Sequence, residues 1–411
     1  MPVAIKSSGG GSVTIAAAST ASDFTATLQS ATGTIPVAEP GTLGNVLTSD
    51  GTNWTSAAAS GTEPGDTLVT ARVLSGPEYI TVAGTYLKTD YPLIGSLASL
   101  VTSGSSWSAV TSGFGLTTIN SVAYGNGVWI AVGSSGTMTR STDDGVTWTA
   151  VTSGFGSTGI YSVAYGNGVW IAVGDSGVMR RSTNDGVTWT AVTSGFGSTL
   201  IYSVAYGNGV WIAVGYNGIM TRSTNDGATW TAVTSGFGTT FIYEVAYGNG
   251  VWIAVGQTGI MTRSTNDGAT WTAVTSGFGS TPILSVAYGN GVWIAGGSSG
   301  TMARSTNDGA TWSFVTSGIF GNVAIYSVAY GNGVWIAGAT YGVMIRSTNN
   351  GVTWSVVTLG FGSSFIYSVA YGNGVWIAAA SGGIINRAPD SDATLFYVPP
   401  SLVNLYTGEA P

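Results

Sequence analysis

Apolar and polar positions along most of the chain follow a pattern that returns at a fixed spacing. The string YGNGVW occurs seven times, and successive copies are 41, 41, 41, 41, 42 and 41 residues apart. The copies begin at Tyr124, Tyr165, Tyr206, Tyr247, Tyr288, Tyr330 and Tyr371. Repeats of this length indicate an array of equal structural units.

Each unit contains four short runs that favour β-strands. In one copy the runs are IYSVAYG (201–207), VWIAVG (210–215), GIMTRS (218–223) and TWTAVTSG (229–236). They are rich in β-branched and aromatic residues, and Gly or Asn-Gly separates them. Four strands in each unit, with no helical period, predict the blades of a β-propeller.

The ends of the array predict how it closes. The array opens with a lone fourth strand at Trp107 and ends with a third strand at 382–388, so every strand type occurs seven times. We therefore predict seven blades, with the strand at 107–112 completing the blade formed by 367–388, because closure removes exposed sheet edges. Thr394 and Leu395 are a rival for this closing role, since they follow Thr353 and Trp354 by 41 residues.

The turn before each fourth strand carries a second motif. Ser141, Asp143, Gly145, Thr147 and Trp148 fit the pattern S-x-D-x-G-x-T-W, and the other intact copies have Asn in place of Asp143. This stretch resembles the Asp-box of sialidase-like propellers. The resemblance implies a folding element, a hairpin turn whose Trp packs beneath the blade. The tryptophans concerned are Trp148, Trp189, Trp230, Trp271, Trp312 and Trp354.

Composition limits the chemistry. The 411 residues include no Cys and no His, and only 7% are charged. Disulfides, thiolate nucleophiles and a Ser-His-Asp triad are therefore excluded, and we expect neither a metal nor a cofactor. The net charge of −7 argues against nucleic-acid binding. No apolar run is long enough to span a membrane, and we see no signal peptide.

An arginine recurs at one position of every repeat. Met138 and Arg140, like Met220 and Arg222, are two residues apart and so share one strand face, which the Met marks as buried between blades. One interpretation is a structural Arg paired with Asp144, or with Asp185, Asp226, Asp267 or Asp308 in the other turns. The alternative is a cationic ring that binds an anionic glycan. The arginines are Arg140, Arg181, Arg222, Arg263, Arg304, Arg346 and Arg387.

Paired carboxylates for glycoside hydrolysis are not evident. Glu244 is the only Glu between Trp107 and Arg387, and Asp175 is the only Asp there outside the S-x-D-x-G turns. The two lie on different repeats. We therefore expect surface charges rather than a catalytic pair, and no enzymatic activity.

The repeats agree on one face of the ring and differ on the other. Because successive strands of a blade run in opposite directions, the YGNG and S-x-D-x-G turns lie on the same face of the ring, which we call the constant face. The second-to-third-strand turns and the connections between blades lie on a variable face. This variation indicates either a recognition surface or neutral drift at exposed turns. The candidate binding residues on the variable face are Asp175, Leu200, Tyr216, Asn217, Phe241, Gln257, Tyr341 and Phe365.

The flanks differ in composition from the array. Residues 1–60 are rich in Ala, Ser, Thr and Gly, and GNVLTSDGTNW within 41–60 resembles the N-terminal region of bacteriophage tail-fibre and virion appendage proteins. The resemblance implies that 1–60 is a β-rich region that docks onto other virion tail proteins. It also implies a homo-oligomer, with a trimer as the expected state.

A second resemblance is split by the array. YITVAGTYLKTDYPLIGSL (79–97) and SDATLFYVPPSLVNLY (391–406) together resemble the two halves of phage tail-collar-type domains. We therefore predict four segments: a docking region (1–60), the first half of a small split collar-like domain (61–104), the propeller (105–388), and the second collar half (389–411).

The sequence as a whole favours a structural, non-enzymatic protein of a phage tail appendage. It would be made in the host cytoplasm and would attach the virion to a host-surface glycan or protein. One alternative is a capsule-degrading glycosidase or depolymerase, which needs a second acid beside Glu244. The other is an intracellular scaffold propeller, which leaves residues 1–60 unexplained.

Overall fold

The computed structural model describes residues 103–315, 321, 323–357 and 360–390 in full, together with the backbone of short strands elsewhere. The chain divides into two compact units, one of residues 1–99 with 391–411 and one of residues 100–390. The docking and collar-like segments predicted at 1–60, 61–104 and 389–411 fall almost wholly outside the fully described residues, and these assignments stay predictions.

The first unit contains short antiparallel strand pairs. Residues 395–398 pair with residues 84–87 in this unit, so the rival closing segment at Thr394 and Leu395 adds no strand to the repeats. The pairs are Ser12–Ala16 with Leu68–Arg72, Thr20–Ala21 with Pro40–Gly41, Phe24–Thr27 with Thr34–Val37, Val46–Ser49 with Trp54–Ala57, and Gly84–Leu87 with Leu395–Val398.

The second unit is a seven-bladed β-propeller, which confirms the predicted fold class. Each blade is a four-stranded antiparallel sheet, and the first strands of neighbouring blades contact one another around the ring. The first strands are Ile119–Gly125, Ile160–Gly166, Ile201–Gly207, Ile242–Gly248, Ile283–Gly289, Ile325–Gly331 and Ile366–Gly372. The second strands are Val128–Gly133, Val169–Gly174, Val210–Gly215, Val251–Gly256, Val292–Gly297, Val334–Ala339 and Val375–Ala380.

The outer half of each blade is shorter. The third strands are Met138–Ser141, Met179–Ser182, Met220–Ser223, Met261–Ser264, Met302–Ser305, Met344–Ser347 and Ile385–Pro389. The fourth strands are Thr149–Ala150, Thr190–Val192, Thr231–Val233, Thr272–Val274, Ser313–Phe314, Ser355–Val356 and, for the seventh blade, Ser108–Val110. Single 3-10 turns join the second and third strands: Ser134–Gly136, Asp175–Gly177, Tyr216–Gly218, Gln257–Gly259, Ser298–Gly300, Thr340–Gly342 and Ser381–Gly383.

Local sequence explains the hairpin and the buried strand of each blade. Asn126 and Gly127 have φ values of 50° and 76°, as a tight two-residue hairpin requires, and Asn and Gly adopt such values most readily. All six residues of Val128–Gly133 are buried, because this strand lies between two others and between two blades. The same arrangement recurs in each repeat.

Blades pack face to face through apolar side chains. Ile212 of the third blade lies in one cluster with Ile242 and Trp252 of the fourth. Tyr247 covers the end of the preceding first strand so closely that Gly207 has no room for a side chain. Fixed spacing between blades therefore requires a residue without Cβ at this point of every repeat.

The turns separate onto the two faces as the strand order predicts. On the constant face, Asn126 Nδ2 of the first blade donates to the Asp185 carboxylate of the second, at 3.0 Å. On the variable face, the Tyr216 N–H donates to the Leu200 carbonyl oxygen at 3.0 Å. The two kinds of turn that meet on each face therefore bind each other directly.

The ring closes through the upstream strand, as predicted. Ser108–Val110 pairs with Ile385–Pro389, and Ser108 lies opposite Arg387. Because its fourth strand comes from upstream, the seventh blade lacks an intact S-x-D-x-G turn. Ser103 takes the place of its second acidic residue, and its carbonyl oxygen accepts a hydrogen bond from Arg346 Nε at 2.6 Å. Trp107 Nε1 donates to the Gly104 carbonyl oxygen at 2.9 Å.

Asp390 supplies the carboxylate that Ser103 lacks at this point of the ring. Its Oδ2 accepts a hydrogen bond from Asn332 Nδ2 at 2.9 Å and another from the Tyr371 hydroxyl. In a blade with a complete turn, the equivalent asparagine donates to that turn, as Asn208 Nδ2 does to Asp267 Oδ1 at 2.8 Å. Burial, together with the contact to Asp390, raises the pKa of Tyr371. Ser103 from the start of the propeller and Asp390 from its end therefore together take the place of one turn.

We expect Asp390→Ala to lower the free energy of unfolding more than Asp267→Ala. Asp390 is buried and holds two donors, so its removal costs about 2–3 kcal/mol, while the part-exposed Asp267 costs about 1 kcal/mol or less. Urea unfolding followed by tryptophan fluorescence measures both. Equal losses would show that Asp390 has no special part in closure.

Candidate functional site

The predicted binding residues lie on the variable face in two kinds of segment. Asp175, Tyr216 and Gln257 begin 3-10 turns, and Asn217 and Tyr341 are the middle residues of such turns. Leu200, Phe241 and Phe365 directly precede a first strand. Main-chain hydrogen bonds tie the segments together, for example from the Gln257 N–H to the Phe241 carbonyl oxygen at 2.9 Å.

Five tyrosines that the sequence analysis did not select also belong to this site. They occupy the second position of the first strand, where the other two blades have Asn120 and Leu284. The register shifts at this position in every first strand, so each tyrosine is the extra residue of a β-bulge. The five are Tyr161, Tyr202, Tyr243, Tyr326 and Tyr367. Their variation among repeats was a signal, but it fell within a strand rather than a turn.

The first aromatic cluster spans the second, third and fourth blades. Tyr216 and Phe241 stack with ring centroids 4.5 Å apart. Phe241 lies 6.3 Å from Tyr202, and Tyr202 lies 5.8 Å from Tyr161 and 5.7 Å from Tyr243. All five side chains are half-buried, so each ring keeps part of its surface accessible.

The second aromatic cluster lies on the sixth and seventh blades. Tyr341 meets Phe365 edge to face at 5.7 Å, and Tyr326 lies 5.0 Å from Tyr367. Tyr341 is the most open of the four, with 63% of its surface exposed. The structure thus divides the predicted aromatic residues between two clusters.

The remaining predicted residues have different roles. The Asp175 carboxylate accepts hydrogen bonds from the Tyr161 hydroxyl at 2.9 Å and from the Gly159 N–H at 2.8 Å, so it ties its turn to the start of the first strand of the same blade. Burial and this contact raise the pKa of Tyr161 to about 12. Asn217 is exposed beside the first cluster, and Leu200 is half-buried.

Four of the tyrosine hydroxyls make no hydrogen bond within the described part of the chain: those of Tyr202, Tyr243, Tyr326 and Tyr367. Burial, then the neighbouring Tyr243, Tyr216 and Asp175, raise the pKa of Tyr202. Burial also raises the pKa of Tyr243 and of Tyr367. Each phenol hydroxyl can both donate and accept a hydrogen bond.

Each arginine of the ring donates to a main-chain oxygen of the neighbouring blade, or of Ser103, and not to the carboxylate that the sequence predicted. Arg140 Nε donates to the main-chain oxygen of Asp185 at 2.7 Å, while the Asp185 carboxylate accepts from Asn126. Asp185 has a positive φ of 53°, so its carbonyl oxygen leaves the sheet ladder and is open to a donor from the next blade. The other acceptors are the carbonyl oxygens of Asp226 for Arg181, Asp267 for Arg222, Asp308 for Arg263, Asn350 for Arg304, Ser103 for Arg346 and Asp144 for Arg387.

The turns before the fourth strands are closed by their own side chains. Asp143 Oδ1 accepts from the Ser141 hydroxyl at 2.7 Å and from the Thr147 N–H at 2.9 Å. Burial alone would raise the pKa of Asp143, but these hydrogen bonds lower it overall. Asn184 accepts equally well, from the Thr188 N–H at 3.0 Å, so the Asn copies keep the turn. Trp148 and Trp354 are buried, whereas Trp189, Trp230, Trp271 and Trp312 are half-buried.

Glu244 stands in a ring of serines around the inner wall of the propeller. In the other blades a serine Oγ accepts the N–H of a valine in the next first strand, as Ser203 does from Val245 at 3.4 Å. Glu244 Oε2 takes this place and accepts the Val286 N–H at 2.7 Å. Burial raises the pKa of Glu244 to about 7, against smaller lowering effects of Val286 and Ser285.

The described residues do not supply Glu244 with a second acid. Val286 and Ser285 are the polar groups that act on its carboxyl, and neither is acidic. No three acidic side chains of the described part converge as ligands for a metal ion. None of the helices in that part has the length and apolar character of a membrane span.

Comparisons with known proteins identify the fold alone. No family model matches the chain, and no curated protein matches it significantly. A YCF48 structure with a bound D1 peptide is 17% identical, with a TM-score of 0.59 over 69% of this chain and 94% of that one. A catalytically inactive virginiamycin B lyase from Staphylococcus aureus, solved with quinupristin, is 13% identical, with a TM-score of 0.61 over 69% and 98%.

A third similar structure is the GH74 xyloglucanase from Xanthomonas campestris. It is 16% identical, with a TM-score of 0.57 over 72% of this chain and 54% of that one. These neighbours include enzymes and a peptide-bound protein on one architecture. The fold therefore leaves the activity to be argued from the site.

We expect Glu244→Ser to change the pH dependence of stability. A carboxyl whose folded pKa of about 7 lies above its ordinary value stabilises the protein fully only below the ordinary value of 4.5, and this contribution is lost as the pH rises through 7. The wild type should therefore lose up to about 3 kcal/mol relative to Glu244→Ser between about pH 4 and pH 8. Urea unfolding of both proteins across this range measures the difference, and a constant difference would contradict the raised pKa.

Proposed function

We propose that this chain is a structural protein of a virion tail appendage, without enzymatic activity, and that the variable face of its propeller attaches to a glycan on the host surface. The observation that carries the proposal is the pair of aromatic clusters. Both lie where the repeats differ, and both combine accessible rings with phenol hydroxyls that have no hydrogen-bond partner among the described residues.

The chemistry of the two clusters suits sugars. Tyr and Phe faces stack on the apolar faces of sugar rings, while phenols and amides exchange hydrogen bonds with sugar hydroxyls. Tyr341 and Asn217 are exposed enough to reach a ligand outside the ring. The two clusters, on blades two to four and six to seven, offer separate subsites for one extended oligosaccharide or for two branches.

The virion assignment rests on the resemblance of residues 41–60 to tail-fibre and appendage proteins. Under this proposal, residues 1–60 dock onto other tail proteins, and the chain is made in the host cytoplasm before assembly. A homo-oligomer would present several variable faces together, so shallow sites gain from multivalency. Detection of the chain in purified virions by mass spectrometry tests the location, and its absence from them would reject it.

We expect Tyr216→Ala, Tyr341→Ala and Phe365→Ala together to weaken glycan binding at least about tenfold, because each ring contributes about 1 kcal/mol of stacking. The purified full chain on an array of bacterial surface glycans measures this effect.

The matched control changes Val146, Val187 and Val352 to Ala. These valines are exposed on the constant face, and three other repeats have alanine there, at Ala228, Ala269 and Ala310. The control should bind like the wild type. Unchanged binding by the aromatic triple variant would reject the variable face as the attachment site, and release of sugar fragments from the array would instead indicate a depolymerase.

A further inference from the structure

A groove with a volume of about 530 Å³ lies between the outer parts of the first and second blades. Thr149 and Thr152, in and just after the fourth strand of the first blade, line one side, and Thr188 and Trp189 of the next turn line the other. Arg140 also lines the groove. Small-molecule sites have volumes of about 300–1,000 Å³, so the groove is large enough for a sugar ring.

The cation and the aromatic ring of this groove are held in place by the fold. Arg140 Nε donates to the main-chain oxygen of Asp185 at 2.7 Å, and its two Nη groups have no partner among the described residues. Trp189 Nε1 donates to the Gly186 carbonyl oxygen at 3.0 Å, which fixes the indole. A ligand would therefore meet a guanidinium and an indole that are already oriented.

A second arginine, Arg180, reaches the same interface from the second blade. Its Nη2 donates to the carbonyl oxygen of Gly154, which lies two residues beyond Thr152 of the groove. Its Nε is buried and has no hydrogen-bond partner in the described part of the chain. The other blades have no arginine at this position of the third strand; their residues are Thr139, Thr221, Thr262, Ala303, Ile345 and Asn386.

The two arginines lie along one segment of the first blade. Arg140 is opposite Thr149 in the sheet, and Gly154, which holds Arg180, follows five residues later, at most about 17 Å along an extended chain. Neither guanidinium pairs with a carboxylate among the described residues. Because threonine occupies the position of Arg180 in three other blades, the fold does not require this second charge.

We propose that this groove binds an acidic oligosaccharide, with Trp189 against one sugar ring and with Arg140 and Arg180 as counter-ions for its acidic groups. The site is separate from the aromatic clusters of the variable face, so it does not depend on the proposed function. It would give the propeller a second glycan contact, on the outer edge of the ring.

The chemistry favours an acidic sugar over other ligands. A guanidinium binds carboxylates and sulfates through paired hydrogen bonds, an indole stacks on a sugar ring, and threonine hydroxyls bond to sugar hydroxyls. A neutral sugar would leave both charges without a counter-ion. A peptide would add a β-strand to the blade, but the fourth strand here has only two residues, Thr149–Ala150. The net charge of −7 disfavours a nucleic acid.

The repeats supply matched variants for a test. Arg180→Thr gives this groove the residue that three other blades have, so the fold should be kept. Thr221→Arg is the reciprocal change in the next groove. Thr221 lies against Gly195 as Arg180 lies against Gly154, and Arg181 and Trp230 repeat the roles of Arg140 and Trp189 there. The double variant has the composition and net charge of the wild type, with the second arginine moved by one blade.

Isothermal titration calorimetry of the full chain with tetragalacturonate, its full methyl ester and sulfated maltotetraose measures binding. We expect the wild type to bind one acidic oligosaccharide per chain, more weakly at high salt, and to bind the neutral ester at least about tenfold more weakly. Arg180→Thr should lose at least about tenfold in affinity, because one charged hydrogen-bond donor is removed. Thr221→Arg should bind two molecules per chain, and the double variant should bind one.

The two acidic compounds distinguish the source of the charge, since preference for tetragalacturonate indicates carboxylates and preference for sulfated maltotetraose indicates sulfates. Failure of the wild type to bind either compound, equal binding of the methyl ester, unchanged affinity in Arg180→Thr, or failure of the double variant to regain binding would each overturn the inference. The aromatic triple variant of the variable face should bind these compounds like the wild type, which keeps this test distinct from that of the proposed function.

Discussion

The ring depends on one constraint: each blade has polar groups that find their hydrogen-bond partners, and an apolar face that is covered, only in the next blade. A serine oxygen accepts a valine N–H, an arginine reaches a main-chain oxygen, and a tyrosine covers a glycine, in register around the ring. A blade that lacked one of these groups would leave its neighbour without a partner. Where the chain enters and leaves the propeller, Ser103 and Asp390 supply from two distant segments what one turn supplies elsewhere.

The same constraint explains why one face varies and the other does not. On the constant face, neighbouring blades are joined through side chains, such as Asn167 and Asp226, so a substitution removes the contact itself. On the variable face, turn and connection are joined largely through main-chain groups, as between Tyr216 and Leu200. Most side chains there carry no structural contact of this kind, and they can differ between repeats without loss of the fold.

Repetition made the fold predictable. The spacing of YGNGVW indicated the number of blades, and the lone strand at Trp107 indicated the closure, because both are visible as counts of residues. The partners of the arginines were not predictable, since a main-chain oxygen has no sequence signal. The tyrosines of the bulge were missed because strand positions were assumed to be packed, and the role of Glu244 became visible only when the equivalent serines were seen to make the same bond.

Closure by an upstream strand also affects synthesis of the chain. Residues 108–110 are made early, whereas their partner strand at 385–389 and the carboxylate of Asp390 come last. Until then the growing polypeptide holds six successive sheets whose two outermost faces are uncovered. A polypeptide that stops short of the final blade would therefore expose two apolar blade faces, and exposed apolar faces favour aggregation.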